Sequence, residues 1–223
     1  MNKYDLTLKI EKFAPLDTQE KWDCSGWLVC TKKNNVSKVM LALTITDDVY
    51  RQAKEKNCDM IISHHPLFFV PLKYSDIDMY CAHTNMDKAN GGTTDSLISK
   101  LGLLPSVFPD EFVRIVKFDS PVSVIKFAEK LKMFFPNMRY INNSNKENIS
   151  TVGFCAGSGS DFINEYDVDA FVTGDLKFHT ALEANPVVFD VGHFESEIFI
   201  LDVFKSIFDI DVYFADEKSP FIY

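Results

Sequence analysis

Two adjacent histidines stand at the end of a short apolar run. Met60 to Ile62 is typical of a buried strand, and His64 and His65 follow it closely, with Pro66 preventing a regular continuation. Ligands of open α/β sheets bind beyond the carboxyl ends of strands, where the turning backbone can aim both rings at one cavity. The pattern alone fits a plain turn with two partly exposed imidazoles equally well. The positions of the other possible ligands therefore decide between a ligand site and a plain turn.

Every histidine of the chain falls at, or just past, the end of a predicted strand. Histidines that serve general packing or solubility would also be scattered over helix surfaces. Collection at strand ends is what a single cleft along one sheet edge would produce. The five are His64, His65, His83, His179 and His193.

Two acidic residues could join the histidines. His193 and Glu197 are four residues apart, which places both on one face of a helix, and Asp87 lies on a turn beside Gly91 and Gly92. Nitrogen and carboxylate ligands without thiolate suit Zn²⁺, Mn²⁺, Fe²⁺, Co²⁺ or Ni²⁺. Five such ligands exceed the need of one tetrahedral zinc and suit two metals roughly 3.5–4 Å apart. Two divalent ions against two carboxylates leave about +2 of formal charge.

The composition is that of a globular protein without an undirected affinity for polyanions. The chain has 223 residues, enough for one large domain or two small lobes, with 46% hydrophobic and 25% charged residues. A net charge of −9 argues against nucleic acid or anionic membrane as a partner. A small anionic substrate would therefore need a local positive feature, which metal ions would supply.

The cysteines and the N-terminus favour a reducing compartment. Five scattered cysteines without CxxC spacing predict neither a disulfide framework nor a structural zinc site. The first residues contain no apolar leader, and no stretch is long enough to span a bilayer. The expected location is the cytoplasm.

The order of the elements predicts a parallel sheet. A strand over 36–43, a helix that begins near Asp47 and ends near Lys56, and the strand into His64 form a βαβ unit. A stretch over 102–110 with two prolines and little periodicity is the expected boundary between lobes. One helix is predicted over about 194–206.

Two further segments leave alternatives open. Ala156 to Ser160 is a small-residue turn after a strand, and either cradles a phosphate or simply connects the strand to a helix over 161–165. In Trp22 to Trp27, both tryptophans are interpreted as packing under a loop, while Asp23 is either structural or an outer-shell group of a site.

Taken together, these motifs resemble the NIF-three-like (YbgI-like) family, whose members are often named GTP cyclohydrolase 1 type 2 homologs. The resemblance spans nearly the whole chain in the family's order. It is carried by Trp22-Asp23 with Gly26, Ile61 to Pro66, Ala82 to Asp87, Gly91-Gly92 with Asp95, Thr173 to Asp175 with His179, and Gly192-His193 with Glu197.

The resemblance implies a two-lobed α/β fold with mixed sheets flanked by helices, a dinuclear metal cleft between the lobes, and a hexameric ring. The expected lobes are 1–105 plus about 190–223, and 106–189. The ligands implied for two divalent metal ions are His64, His65, Asp87, His193 and Glu197. The chain departs from the family at Cys24, Thr44 and Thr94, where Asn, Asp and Asn are frequent, and these positions concern the substrate side of the site rather than the ligands.

The function that follows is a dinuclear metal-dependent hydrolase acting on a nucleotide or another phosphorylated small molecule. His179 and His83 are the candidates for proton transfer. The alternative is a non-catalytic metal-binding scaffold or metal chaperone that works through protein contacts. Substrate turnover that disappears on chelation would separate the two.

Overall fold

A computed structural model describes residues 1–221, and the chain divides into two compact units. The first unit comprises Met1–Gly92 and Ile200–Lys218, and the second comprises Thr93–Phe199 and, of the described residues after it, Ser219 to Phe221. The last two residues of the predicted 190–223 segment lie outside the described residues.

The first unit contains a five-stranded mixed sheet in the order β1-β4-β3-β2-β10. Strands β10, β2, β3 and β4 run parallel, and β1 is antiparallel to β4. The predicted βαβ unit is confirmed, since β2 and β3 are parallel neighbours joined through a helix. The strands are β1 (Gly26–Val29), β2 (Lys38–Ala42), β3 (Met60–Ser63), β4 (Asp78–Cys81) and β10 (Asp211–Phe214).

The second unit has its own five-stranded mixed sheet in the order β5-β7-β8-β9-β6. Its three central strands, β7, β8 and β9, are parallel, and the outer strands are antiparallel to their neighbours. The strands are β5 (Arg114–Ser123), β6 (Arg139–Ile141), β7 (Asn148–Phe154), β8 (Ala170–Thr173) and β9 (Val187–Asp190).

Helices complete both units. In the first unit they are α1 (Lys3–Phe13), α2 (Asp47–Glu55), α3 (Thr84–Lys88) and α8 (Ile200–Ile207). In the second unit they are α4 (Thr93–Lys100), α5 (Val124–Lys132), α6 (Phe178–Glu183) and α7 (His193–Glu197). No helix within residues 1–221 is both long and apolar enough to cross a membrane.

The predicted helix over 194–206 is interrupted. The structure ends α7 at Glu197 and begins α8 at Ile200, with a turn between them. Phe199 packs against the core of the second unit, whereas α8 packs on β2 and α1 of the first. The two helices therefore serve different cores, which a periodicity read along one segment does not reveal.

Each unit buries an apolar layer against its sheet. Met40, Ile61 and Met79 from β2, β3 and β4 are among the buried core residues of the first unit. In the second unit Phe154, Val172 and Phe189 from β7, β8 and β9 are fully buried in one cluster. Parallel strands so fixed end at a common edge, and the candidate ligands follow those ends.

Candidate metal centre

Three imidazoles meet at the carboxyl edge of the first sheet. His64 and His65 follow β3, His83 follows β4, and their ligand atoms lie within 4.8 Å of one another. We call these three residues the histidine group. His64 is fully buried, while His65 and His83 are half-buried.

The backbone of His64 and His65 is fixed by an extension of the parallel ladder. The N–H of His64 donates to the carbonyl of Ala42 at 3.1 Å, and that of His65 donates to Leu43 at 2.7 Å. Successive residues of a regular strand would point to opposite faces. Here the two ring centroids are only 5.1 Å apart, so the turn before Pro66 brings both rings to one place.

Protein oxygens hold the Nδ1 atoms of the first two rings. Nδ1–H of His64 donates to the carbonyl of Ala82 at 3.0 Å, and Nδ1 of His65 shares a 2.7 Å hydrogen bond with Oγ1 of Thr44. A partner on one ring nitrogen sets the tautomer and orientation of a ligating imidazole. Nε2 is therefore the nitrogen that each ring would offer to a metal.

The third ring is held by a carboxylate. Nδ1–H of His83 donates to Oδ1 of Asp23 at 3.0 Å, and Asp23 also accepts hydrogen bonds from Thr84, Ser25 and the backbone N–H of Cys24. Burial alone would raise the pKa of Asp23, but the bonds from His83 and Thr84 outweigh it and hold the pKa well below its usual range. Asp23 is thus an ionised group that orients the ring of His83, and its role at a metal site stays a prediction.

Asp87, which lies on α3, is close to the histidine group. Its Oδ1 is 3.4 Å from Nε2 of His64, and its N–H donates to the carbonyl of His83. The chain then turns through Gly92, where a Cβ would stand 1.9 Å from the carbonyl oxygen of Met86. This close approach explains why glycine is required after the turn that carries Asp87.

The second unit brings His193 and Glu197 together on α7. Nε2 of His193 is 3.0 Å from Oε2 of Glu197, as the i, i+4 spacing predicts. We call these two residues the His–Glu pair. Gly157, which follows β7 with φ +67°, backs onto them, since a Cβ there would stand 2.1 Å from Oε1 of Glu197. The absence of a side chain at Gly157 therefore leaves the room that Glu197 occupies.

A carboxylate also orients the ring of His193. Nδ1–H of His193 donates to Oδ2 of Asp175 at 2.6 Å, and Asp175 occupies the left-handed region with φ 51°. A non-glycine residue in that region is uncommon and is held there by its surroundings. Burial would lower the pKa of His193, but Glu197 and Asp175 outweigh it and raise the pKa to about 9.

His179 lies on α6 as an exposed residue, with its ring edge against Phe178 at 5.4 Å between centroids. Among residues 1–221 it belongs to no cluster of three or more close metal-ligand atoms. The structure thus places His83, but not His179, among such ligand atoms.

The small-residue turn after β7 is a connector. The N–H of Gly157 donates to Oγ of Ser196 and that of Gly159 to Oγ1 of Thr173, both at 2.9 Å. These two amides are therefore not available to a phosphate. The predicted helix over 161–165 is a single 3₁₀ turn, Ser160–Phe162.

Several contacts could not be foreseen from spacing. Thr44 and Asp175, which bond the rings of His65 and His193, follow β2 and β8, so strand ends were the available signal for them. No sequence pattern pointed to Glu217, whose carboxylate accepts from the backbone N–H groups of Leu43 and Thr44. The packing interpretation fits Trp27, which contacts Tyr80, but is wrong for Trp22. Trp22 is 61% exposed, with its ring 6.0 Å from that of His83, because it lies in the loop before β1 rather than on the strand.

Residues 1–219 match the DUF34/NIF3 family, described as NGG1p interacting factor 3. The chain belongs to this family. It is 30% identical over 260 residues to the GTP cyclohydrolase 1 type 2 homolog of Clostridium perfringens, covering 99% of each chain, and 33% identical over 209 residues to that of Campylobacter jejuni, covering 84% of each. Among solved structures it is similar to reduced HcgD from Methanocaldococcus jannaschii, with a TM-score of 0.84 and 26% identity over 97% and 98% of the two chains.

The donor set of this family member could hold a metal ion. Imidazole nitrogens and carboxylate oxygens suit divalent first-row transition metals. The histidine group provides three close ligand atoms in orientations already set by protein oxygens, and Gly157 leaves clearance at Glu197.

Proposed function

We propose that this protein is a dinuclear metal-dependent hydrolase acting on a nucleotide or another phosphorylated small molecule. Its metal ligands would be His64, His65, Asp87, His193 and Glu197. The observation that carries the proposal is the histidine group, with three imidazoles within 4.8 Å at one sheet edge. The names of the relatives, GTP cyclohydrolase 1 type 2 homologs, support a nucleotide as the substrate.

The histidine and carboxylate residues would bind and orient two divalent ions, which could supply a Lewis acid and an activated water. The protein's own contribution to proton transfer would come from His83. Ionised Asp23 fixes the Nδ1–H tautomer of this ring, so that Nε2 is the atom that accepts or returns a proton. His179, four residues after Asp175, is the second candidate for this role.

Metal analysis with a substrate screen tests the proposal. The purified protein is analysed for bound metals and then assayed with nucleotides and phosphoesters, before and after chelation. Turnover that is lost on chelation and restored by one metal supports the hydrolase. A fully loaded protein that turns over no member of the screen would favour the second candidate.

The second candidate is a non-catalytic metal-binding scaffold. It is favoured by the segment that follows Pro66, where Phe68, Phe69 and Leu72 are 62%, 91% and 87% exposed. A run of exposed apolar side chains, here soon after His64 and His65 in the chain, is typical of a protein contact surface. Replacing Phe69 and Leu72 by Ser should leave turnover unchanged if the protein is a hydrolase that needs no such contact.

A further inference from the structure

The segment after β10 is tied to the first unit by its backbone. The N–H of Ala215 donates to the carbonyl of Leu41 at 2.9 Å, one step beyond the last paired residues of β10 and β2. The side-chain amide of Gln52 on α2 then makes two hydrogen bonds to the backbone of Asp216. Its oxygen accepts from the N–H of Asp216 at 2.8 Å, and its nitrogen donates to the carbonyl of Asp216 at 3.2 Å. These bonds set the position from which the next side chain reaches inward.

That side chain is Glu217, and its carboxylate binds two successive backbone amides. Oε2 accepts from the N–H of Leu43 at 2.7 Å, and Oε1 accepts from the N–H of Thr44 at 2.9 Å. Leu43 and Thr44 lie just past β2, where the ladder to β10 has ended. The carboxylate of Glu217 therefore takes the place of a neighbouring strand as the hydrogen-bond partner of this backbone.

Leu43 and Thr44 also hold His65 in place by hydrogen bonds. The carbonyl of Leu43 accepts from the N–H of His65 at 2.7 Å, and Oγ1 of Thr44 is bonded to Nδ1 of its ring at 2.7 Å. The backbone and the ring of one histidine are thus fixed by a dipeptide that Glu217 clamps from the other side. Geometric errors of about 0.5 Å are enough to weaken a metal site.

We propose that Glu217 is a positioning residue for His65, acting through the Leu43–Thr44 dipeptide. This inference rests on the proposed function, because it takes His65 as a metal ligand. A merely structural role would anchor the segment after β10, and Gln52 provides the comparison for that role. Gln52→Ala removes two bonds to the same segment but leaves the Glu217 carboxylate in place.

The first test uses the metal-free protein, with chelator present. Glu217→Gln keeps the size of the side chain but places an amide against two N–H donors. The ¹⁵N signals of the His65 ring should shift in Glu217→Gln, whereas those of His64, which is bonded to the carbonyl of Ala82, should not. Neither ring should change in Gln52→Ala. A His65 ring with wild-type signals in Glu217→Gln would overturn the inference.

The second test measures Co²⁺ affinity through the fluorescence of Trp22, whose ring lies beside that of His83. Loss of an outer-shell partner typically lowers metal affinity about 10–100-fold, and we expect this for Glu217→Gln but not for Gln52→Ala. Equal losses in both variants would reduce Glu217 to an anchor. The variant His65→Ala distinguishes a failure of the proposed function from a failure of this inference. If His65→Ala binds Co²⁺ like the wild type, the assignment of His65 as a ligand fails. If His65→Ala loses Co²⁺ affinity and Glu217→Gln does not, only the inference about Glu217 fails.

Discussion

The histidine group and the His–Glu pair hold their imidazoles by the same atom but by different means. In the histidine group, Nδ1 is bound by a carbonyl, a hydroxyl and a carboxylate from three chain segments, with one ring buried and two half-buried. In the His–Glu pair, a single ring lies between two carboxylates in space cleared by Gly157. The first region is part of the framework of its own sheet, whereas the second depends on space left by a glycine. Substitutions in the first should therefore affect both folding and metal binding, and those in the second chiefly metal binding.

The largest effects are expected from removing a ligand in each region. His64→Ala and Glu197→Ala should each lower metal affinity by more than about 100-fold, beyond the range of outer-shell changes. His64→Ala should also lower the free energy of unfolding by about 1–3 kcal/mol, because it leaves the buried Ala82 carbonyl without its donor. Metal content by mass spectrometry and urea unfolding in chelator measure the two effects. Full metal occupancy in both variants would contradict the ligand assignment.

A methyl group at Gly157 tests whether the second region depends on clearance. In Gly157→Ala, the Cβ would collide with Glu197, so we expect a loss of metal affinity in addition to the cost of a left-handed alanine. Gly102 is a matched control, since its φ is +66° and a Cβ there would meet nothing within 4 Å. Both variants should lose about 1–2 kcal/mol of unfolding free energy from the backbone. Metal affinity should fall in Gly157→Ala alone, and equal affinities would show that clearance is unimportant.

The sequence predicted the parts of the site that follow from chain order. Parallel strands that end in His64-His65 and His83 must meet at one edge, and the i, i+4 spacing brings His193 to Glu197. Side-chain partners that cross the sheet have no such signal. No sequence pattern marks Thr44 and Asp175 as partners of imidazoles, because only the folded sheets bring them to the rings. Glu217 binds the backbone after β2 although it lies more than 170 residues further along the chain. Exposure was also unpredictable, since Trp22 and Trp27 lie in one motif and only Trp27 packs on the sheet.

The two carboxylates that orient imidazoles offer an intermediate effect. Asp175→Asn should weaken metal binding about 10–100-fold, as expected for the outer-shell partner of a ligand. Asp23→Asn should lower turnover instead, because Asp23 orients His83, which is not a proposed ligand. Asp23 also bonds Cys24, Ser25 and Thr84, so its variant should lose stability in chelator, whereas the Asp175 variant should not. Asn is suited to Asp175 because it tolerates the left-handed region. Equal unfolding free energies for the two variants would contradict the distinction between the histidine group and the His–Glu pair.

The smallest effect on metal binding is expected at His179. Because it is exposed on α6, His179→Ala should keep its metals and its unfolding free energy. Its proposed role predicts instead that turnover falls about 10²-fold once a substrate is known. His83→Ala is the comparison within the histidine group, since His83 is not among the proposed ligands and the same assay should show loss of turnover with the metals retained. Unchanged turnover in His179→Ala would end its catalytic assignment and leave His83 as the proton-transfer residue, and loss of metal would make His179 part of the framework of the site.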